Sequence, residues 1–385
     1  MNFCNLKNKD KLTVLGLMSG TSLDGLDICL AEIYYKNQKL NSRIIKFESA
    51  NYSQSFKGYL SQLPEGNIPL ICEANFKIAE EWAELIRQFF STNKINPKDI
   101  DLIGSHGQTV WHIDGQSTLQ IGEASVLSRS FGIPCIADFR VMDVAAEGSG
   151  APLVPFVDYL WFKSIKKNTL MLNIGGIANF TIIPADCKSV DEIFALDTGP
   201  GNGLIDAAVQ IVTEGQMDFD KDGEIAAKGK IIPSLLNRLM AHPYIEKKPP
   251  KSTGKEEFGK NYVLEIIREE NIQSEDAFRN LVTTLTYFTA KTIYKGYKDY
   301  FAKKYPVHQV VVSGGGAQNP VIMKYLKELF TETKFMEAEE FGIDAAAKEA
   351  HAFAVLAAMR VWEVPANVPN VTGAKEPVLL GKIIY

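Results

Sequence analysis

Two turns of the same make carry the residue types that hold phosphate. The first, Ser19-Gly20-Thr21-Ser22-Leu23-Asp24-Gly25, lies between the apolar runs 12–18 and 26–33. Its glycines free backbone N–H groups, its three hydroxyls add donors, and Asp24 offers a carboxylate suited to Mg2+, held directly or through water. A P-loop instead runs from strand to helix and carries Gly-Lys-Ser/Thr, which is absent here. The design returns as Asn173-Ile174-Gly175-Gly176-Ile177-Ala178-Asn179, between the apolar runs 169–172 and 180–183. A third cluster, Ser313-Gly314-Gly315-Gly316, follows a β-branched run at 307–312. It precedes a helix with Val321, Ile322, Tyr325, Leu326, Leu329 and Phe330 at helical spacing. Each turn alone is compatible with a plain hairpin or a capping turn. Together they point to phosphoryl chemistry.

The elements that must position these turns read as α/β. An amphipathic helix is predicted over 73–91, with Phe76, Ala79, Trp82, Ala83, Ile86, Phe89 and Phe90 on one face. A strand at 100–104 leads into Ser105-His106-Gly107-Gln108-Thr109, and short strands follow at 119–122 and 134–137 with a helix at 124–131 between them. The stretch 148–155, rich in Gly and Pro, marks the expected domain boundary. A strand at 193–196 ends in Asp197-Thr198-Gly199-Pro200-Gly201-Asn202 and opens a helix at 203–212. Long helices are predicted at 274–304 and 345–361, and the tail 378–385 reads as an edge strand. Residues 243–261 read as a solvated loop.

The chain has 385 residues, enough for two ordinary domains, and a net charge of −5. That balance gives no basic stripe for nucleic acid. The cysteines at 4, 29, 72, 135 and 187 stand singly without CxxC, which favours a reduced interior over disulfides or zinc. With no export segment and no bilayer-length apolar run, the expected location is the cytoplasm, with no membrane partner. His106 and His112 suggest a metal pair, but Val110 stands where an HxxxH motif needs its second histidine, and no other cluster completes a site.

The paired turns and the strand–GGG–helix resemble the actin-like ATPase superfamily, which includes the sugar kinases. The ordered blocks Gly16–Gly25, Ser105–Thr109, Gln120–Glu123, Ala137–Arg140, Gly150–Pro155, Asn173–Asn179, Asp197–Asn202, Lys251–Gly254 and Ser313–Gly316 resemble more narrowly the anhydro-N-acetylmuramic acid kinases. The resemblance implies two lobes of ribonuclease H-like fold with a nucleotide cleft between them. Residues 1–145 with about 362–385 would form one lobe and 146–361 the other. It implies hydrolysis of the 1,6-anhydro ring and phosphorylation of O6 with ATP and Mg2+, in peptidoglycan recycling, by a homodimer.

On that resemblance Ser19, Gly20, Thr21, Ser22, Asp24, Gly25, Asn173, Gly175, Gly176 and Asn179 hold phosphates, and Gly314, Gly315 and Gly316 let the backbone approach adenosine. Ring opening needs a base at the sugar, and Asp197, at a strand end, is the residue expected there. Arg140 and Glu349 are expected to line the sugar pocket, with Gln108, Thr109 and Glu123 beside them; singly, Arg140 and Glu349 fit a surface or hinge salt bridge as well. Two departures stand out from the family pattern: Ala146-Glu147-Gly148-Ser149 replaces a Gly-Gly pair with Gln or Glu, and Ala346 replaces an acidic residue. A levoglucosan kinase and an ATP-driven binding module of the actin kind are the competing readings.

Overall fold

The computed structural model describes residues 3–20, 23–37, 39–249, 251, 253–254 and 257–385, with backbone alone for residues 3 and 4. Its strands are β1 (Lys11–Ser19), β2 (Gly25–Lys36), β3 (Lys39–Asn51), β4 (Leu102–Ile113), β5 (Ser117–Ile121), β6 (Cys135–Ala137), β7 (Thr169–Ile174), β8 (Ile177–Ile183), β9 (Phe194–Pro200), β10 (Gln309–Ser313), β11 (Lys334–Glu337) and β12 (Lys382–Ile384). The helices that matter below are α1 (Ile68–Asn93), α2 (Ala124–Phe131), α3 (Val154–Phe162), α4 (Gly203–Val212), α5 (Glu275–Tyr300), α6 (Pro320–Leu329) and α7 (Lys348–Val361). None of the helices among the described residues is long and apolar enough to cross a membrane.

Two compact units result, one of Met1–Trp161 with Ala346–Tyr385, the other of Phe162–Ala345. The chain therefore crosses at 161/162 and 345/346, not at 145/146 and 361/362. Two facts move the boundaries. The stretch 148–155 stays in the first unit, where Gly150 N–H donates to the buried Asp143 (2.8 Å). Helix α7 also belongs there, packed on β1, β2 and β4.

The first unit's sheet has the order β12-β6-β4-β1-β2-β3, with β5 hairpinned onto β4. Strands β1, β2 and β3 form an antiparallel meander, and β4 and β6 continue in parallel from β1. The second unit's order, β11-β10-β7-β8-β9, repeats that plan: β7, β8 and β9 meander, and β10 and β11 run parallel to β7. One sheet design, used twice, is the ribonuclease H-like duplication of the actin-like ATPase fold.

Helix α7 is buried along nearly all its length and is rich in alanine. Small side chains let it press against the sheet. A Cβ on Gly16 of β1 would stand 2.0 Å from the Ala350 carbonyl oxygen, and one on Gly104 of β4 would stand 2.6 Å from that of Phe353. This contact fixes the first turn of α7, with Glu349, above β1. On the sheet's other face α1 buries Trp82, Ile86, Phe89 and Phe90, and Asn67 caps it by accepting from Leu70 N–H. Phe76, expected on that face, falls just beyond the edge of the stripe and is exposed. In the second unit α5 supplies Leu281, Val282, Leu285, Phe288 and Ile293 to a core closed by Phe180, Leu196 and Val310.

Candidate active site

In the first unit, the turn after β1 brings Ser19, Gly20, Asp24 and Gly25 together; Thr21 and Ser22 lie outside the described residues. Gly25 has no room for a side chain, because a Cβ would stand 2.3 Å from the Ala50 carbonyl oxygen on β3. Asp24 is exposed, with Lys57 3.4 Å from its carboxylate. Asp27, two residues beyond the turn, accepts from Ser49 Oγ at 2.5 Å; burial, reinforced by Asp24, raises its pKa above the ordinary carboxylate range.

Ser19 and Gln108 are register partners on β1 and β4. The Ser19 hydroxyl donates to Gln108 Oε1 (2.6 Å), so both side chains are occupied beneath the turn. The block 105–109 lies inside β4, not after a strand, because β4 runs on to pair with β5. Thr109 Oγ1 accepts from Gln120 Nε2 (3.3 Å). Glu123 caps α2: its carboxylate accepts from Ser125 N–H (3.0 Å) and Asn75 Nδ2 (3.2 Å), and these bonds hold its pKa below the usual value. A cavity of about 470 Å³ opens beside Gly107 and Gly122, with Gln120 and Glu123 in its wall.

Arg140 donates from Nε to His106 Nε2 (3.1 Å) and from Nη1 to the Gly150 carbonyl (2.9 Å). His106 Nδ1 donates to the Gly107 carbonyl (2.8 Å), so the ring is neutral with its proton on Nδ1. Burial pushes the His106 pKa down to about 3 and that of Arg140 down to about 10. Glu349 is open to solvent, yet the protein mass around it raises its pKa; Lys348 and Arg140 pull the other way. Lys348 pairs with Asp158 of α3 at 2.9 Å, both side chains being buried.

In the second unit four polar residues form one row across four strands. Ser313 pairs with Asn173, Asn173 with Asn179, and Asn179 with Asp197. Directly paired residues point to one face of a sheet, so the row presents its side chains together. Asp197 lies within β9 and not at its end. Pairing continues to Pro200, which an edge strand tolerates because its missing N–H faces no neighbour. Thr253 N–H donates to Asp197 Oδ2 (3.2 Å) and Tyr244 Oη donates to the Asp197 carbonyl (2.8 Å). The segment 243–261 is therefore partly built into the site: Tyr244 and Phe258 are buried in the core, and Lys251 caps the short helix Pro243–Glu246 through the Tyr244 and Ile245 carbonyls. Burial lowers the Lys251 pKa to about 8.

The turn between β7 and β8 faces its carbonyls inward. Gly175 O accepts from Asn202 N–H (2.7 Å), and Gly176 O accepts from Gly201 (2.9 Å) and Gly203 (3.0 Å). In a trans peptide the next N–H points the opposite way, so the Gly176 N–H is turned away from α4. Among the described residues a Cβ on Gly176 would meet nothing within 4 Å, and one on Gly175 would meet only ordinary contacts. Gly314 differs. It has φ +82°, and a Cβ would stand 2.7 Å from Asn173 Oδ1.

A family model described as anhydro-N-acetylmuramic acid kinase matches residues 12–385. The chain belongs to the anhydro-N-acetylmuramic acid kinase family. Proteins carrying that family name are similar to it over nearly their whole length. The one from Caldanaerobacter subterraneus subsp. tengcongensis is 40% identical, covering 98% of each chain. One from Bacillus cereus is 38% identical over 97% of this chain and 99% of its own. A third, from Clostridioides difficile (strain 630), is 40% identical over 96% and 97%. The chain is thus an enzyme of a kinase family. Nothing in the spacing of Tyr52, Asp27 and Tyr244 marks them for a site, and Trp82 reads from the sequence only as part of the apolar face of the helix over 73–91. Thr253 carries a signal only as part of the Lys251–Gly254 block.

Proposed function

We propose that this chain uses ATP to phosphorylate O6 of 1,6-anhydro-N-acetylmuramic acid while water opens the anhydro ring, yielding N-acetylmuramate 6-phosphate and ADP for peptidoglycan recycling. The observation that carries the reading is the family match together with Asp197, held by Thr253 and Tyr244 in the row that begins at Ser313. The water oxygen bonds C1 as the C1–O6 bond breaks; O6 takes the γ-phosphoryl group, whose bond to the bridging oxygen of ADP breaks. The proton released by water goes first to Asp197.

The turns 19–25 and 173–179 take the phosphates, and Gly314–Gly316 approach the adenosine. Arg140 and Glu349 hold the sugar, with Thr109 and Glu123 beside them, and Gln108 lies between the two ligands, bonded to Ser19 and Gly20 of the first turn and to the Thr109 carbonyl. Mg2+ fits an exposed carboxylate at Asp24 with Asp27 nearby, since this ion is commonly held by one or two carboxylates, waters and the nucleotide. When bound it neutralises charge on the β- and γ-phosphates. ATP as co-substrate suits a cytoplasmic enzyme, and homodimer assembly belongs to the same reading.

Turnover in 18O-labelled water tests it. The label should enter the sugar at C1 and be absent from the phosphate. Label in inorganic phosphate, with the sugar unchanged, would reveal a plain ATPase. Faster turnover of levoglucosan than of the muramic acid sugar would move the substrate assignment.

A further inference from the structure

Beneath the first turn lies a line of four buried polar side chains. Trp82 Nε1 donates to Tyr52 Oη (2.7 Å), the Tyr52 and Ser19 hydroxyls are 2.8 Å apart, and Ser19 Oγ donates to Gln108 Oε1 (2.6 Å). All four residues are at most 4% exposed. The chemistry of the two ends sets one direction. An indole N–H can only donate, so the Tyr52 oxygen accepts from Trp82 and passes its own proton to Ser19. An amide oxygen can only accept, so the Ser19 proton goes to Gln108. The orientation of that amide is also determined. Gln108 Nε2 reaches the Gly20 and Thr109 carbonyls, both at 3.4 Å, and a flipped amide would set oxygen against both of them.

The line therefore starts at α1 and ends on the backbone of the turn. Its last acceptor, the Gly20 carbonyl, also accepts from Leu23 N–H (3.2 Å), which makes that peptide the pivot of the turn. The far end is equally fixed, because the Trp82 ring fills the space where Gly122 has no side chain; a Cβ there would stand 2.5 Å from it. The surrounding cluster is apolar, with Leu17, Leu26, Phe56 and Ile86 among its members. Apolar side chains of the same shape would fill such a core about as stably, and a buried polar chain adds orientation.

We propose that Tyr52 and Trp82 are positioning residues for phosphoryl transfer, acting through Ser19 and Gln108 to hold the Ser19 side chain and the Gly20 carbonyl in the one conformation that receives the nucleotide phosphates. This rests on the reading that the turn 19–25 binds phosphate. It gives the buried Ser19 hydroxyl an inward task and leaves phosphate contact to the backbone of the turn.

The test variant is Tyr52→Phe, which removes one oxygen and keeps the ring. Displacement of a positioned group by an ångström costs up to about 10²-fold in rate, so kcat/KM for ATP should fall about tenfold or more while KM for the sugar stays put. Ser19→Ala should lower kcat/KM for ATP in the same way. The double variant should lose no more than the worse single one, because both break one line. Calorimetric titration of Mg–ATP alone gives a second readout that does not require the sugar. If the wild type binds Mg–ATP but leaves the sugar unphosphorylated, the function above fails while the relay is still tested by the change in Kd. A Tyr52→Phe enzyme with a lower Tm but unchanged ATP parameters would overturn the proposal, and so would strictly multiplicative losses in the double variant.

Discussion

Asn179 and Asp197 stand directly opposite one another on β8 and β9, in an antiparallel register that shifts by one residue between Ala178 and Asn179. The shift matters because it re-aims a side chain, as bulges commonly do near functional sites. Without it Asp197 would pair with a different residue of β8. With it, the last residue of the second turn and the carboxylate expected to act on water share one face of the sheet.

Asp197→Asn keeps the shape of the side chain and its acceptor oxygen for Thr253, but it cannot take a proton. Loss of a general base costs roughly 10²–10⁴-fold, and kcat should fall by that much. Mg–ATP binding by calorimetry and Tm should stay near the wild-type values. A well-folded variant with near-normal turnover would shift the base assignment to Glu349.

Gly176→Val separates folding from binding. A Cβ at this position meets nothing within 4 Å among the described residues, and no unusual φ requires glycine. The folded state should tolerate the change, with stability altered by less than about 1 kcal/mol. A ligand approaching the Gly176 N–H would be displaced, so KM for ATP should rise at least about tenfold. Unchanged KM in a stable variant removes the second turn from the nucleotide site.

Acid should weaken the protein through His351. This imidazole is buried, lies tilted against the Trp161 ring with centroids 4.8 Å apart, and has no hydrogen-bond partner on either ring nitrogen among the described residues. Burial lowers its pKa from 6.5 to about 4. Between those values the unfolded chain binds a proton that the native chain does not. The stability tied to a neutral His351 is therefore fully present above pH 6.5 and is lost as pH falls toward 4. Each such group contributes a slope of about 1.4 kcal/mol per pH unit. His351→Leu should flatten urea midpoints plotted against pH across that window by about one proton. His106 should go on contributing to the slope as pH falls further toward 3.

Lys348→Met should be costly because it strands the buried Asp158 carboxylate. Removing one partner of a buried pair costs about 3–5 kcal/mol, whereas an apolar replacement of both is often neutral. The double variant Asp158→Leu/Lys348→Met should then recover most of the loss in denaturant melts. Equal instability in both variants would mean that the pair contributes beyond its own charges.

Much of the fold is legible in the sequence because its turns are chemically loud and its central strands are apolar. Strand β3 escapes notice for the opposite reason. Residues 39–51 form a mostly exposed edge whose Lys, Asn, Ser and Arg residues alternate with few large apolar ones. Asp197 reads as a strand end because Gly199 and Pro200 resemble a turn locally; only the neighbouring strand shows that pairing goes on. The direction of the Ser19 and Gln108 side chains is hidden as well. Both are polar residues near glycines, which reads as ligand contact, yet each is the other's partner across 89 positions of chain. The roles of Tyr244 and Thr253 around Asp197 likewise depend on long-range packing that no local pattern records.

The interrupted path of the first unit bears on how the chain is made. Its sheet is complete by residue 137 except for β12, but the helix that covers Gly16 and Gly104 begins only at Lys348. Domains generally fold as units while they emerge from the ribosome. Phe162–Ala345 is continuous and can close its own core during synthesis. The earlier sheet must wait, with one apolar face uncovered, for about as many residues as the second unit contains. Nascent chains stalled before residue 348 should therefore be the species that chaperones hold, and release should coincide with the arrival of an alanine-rich helix narrow enough to fit the groove left by two glycines.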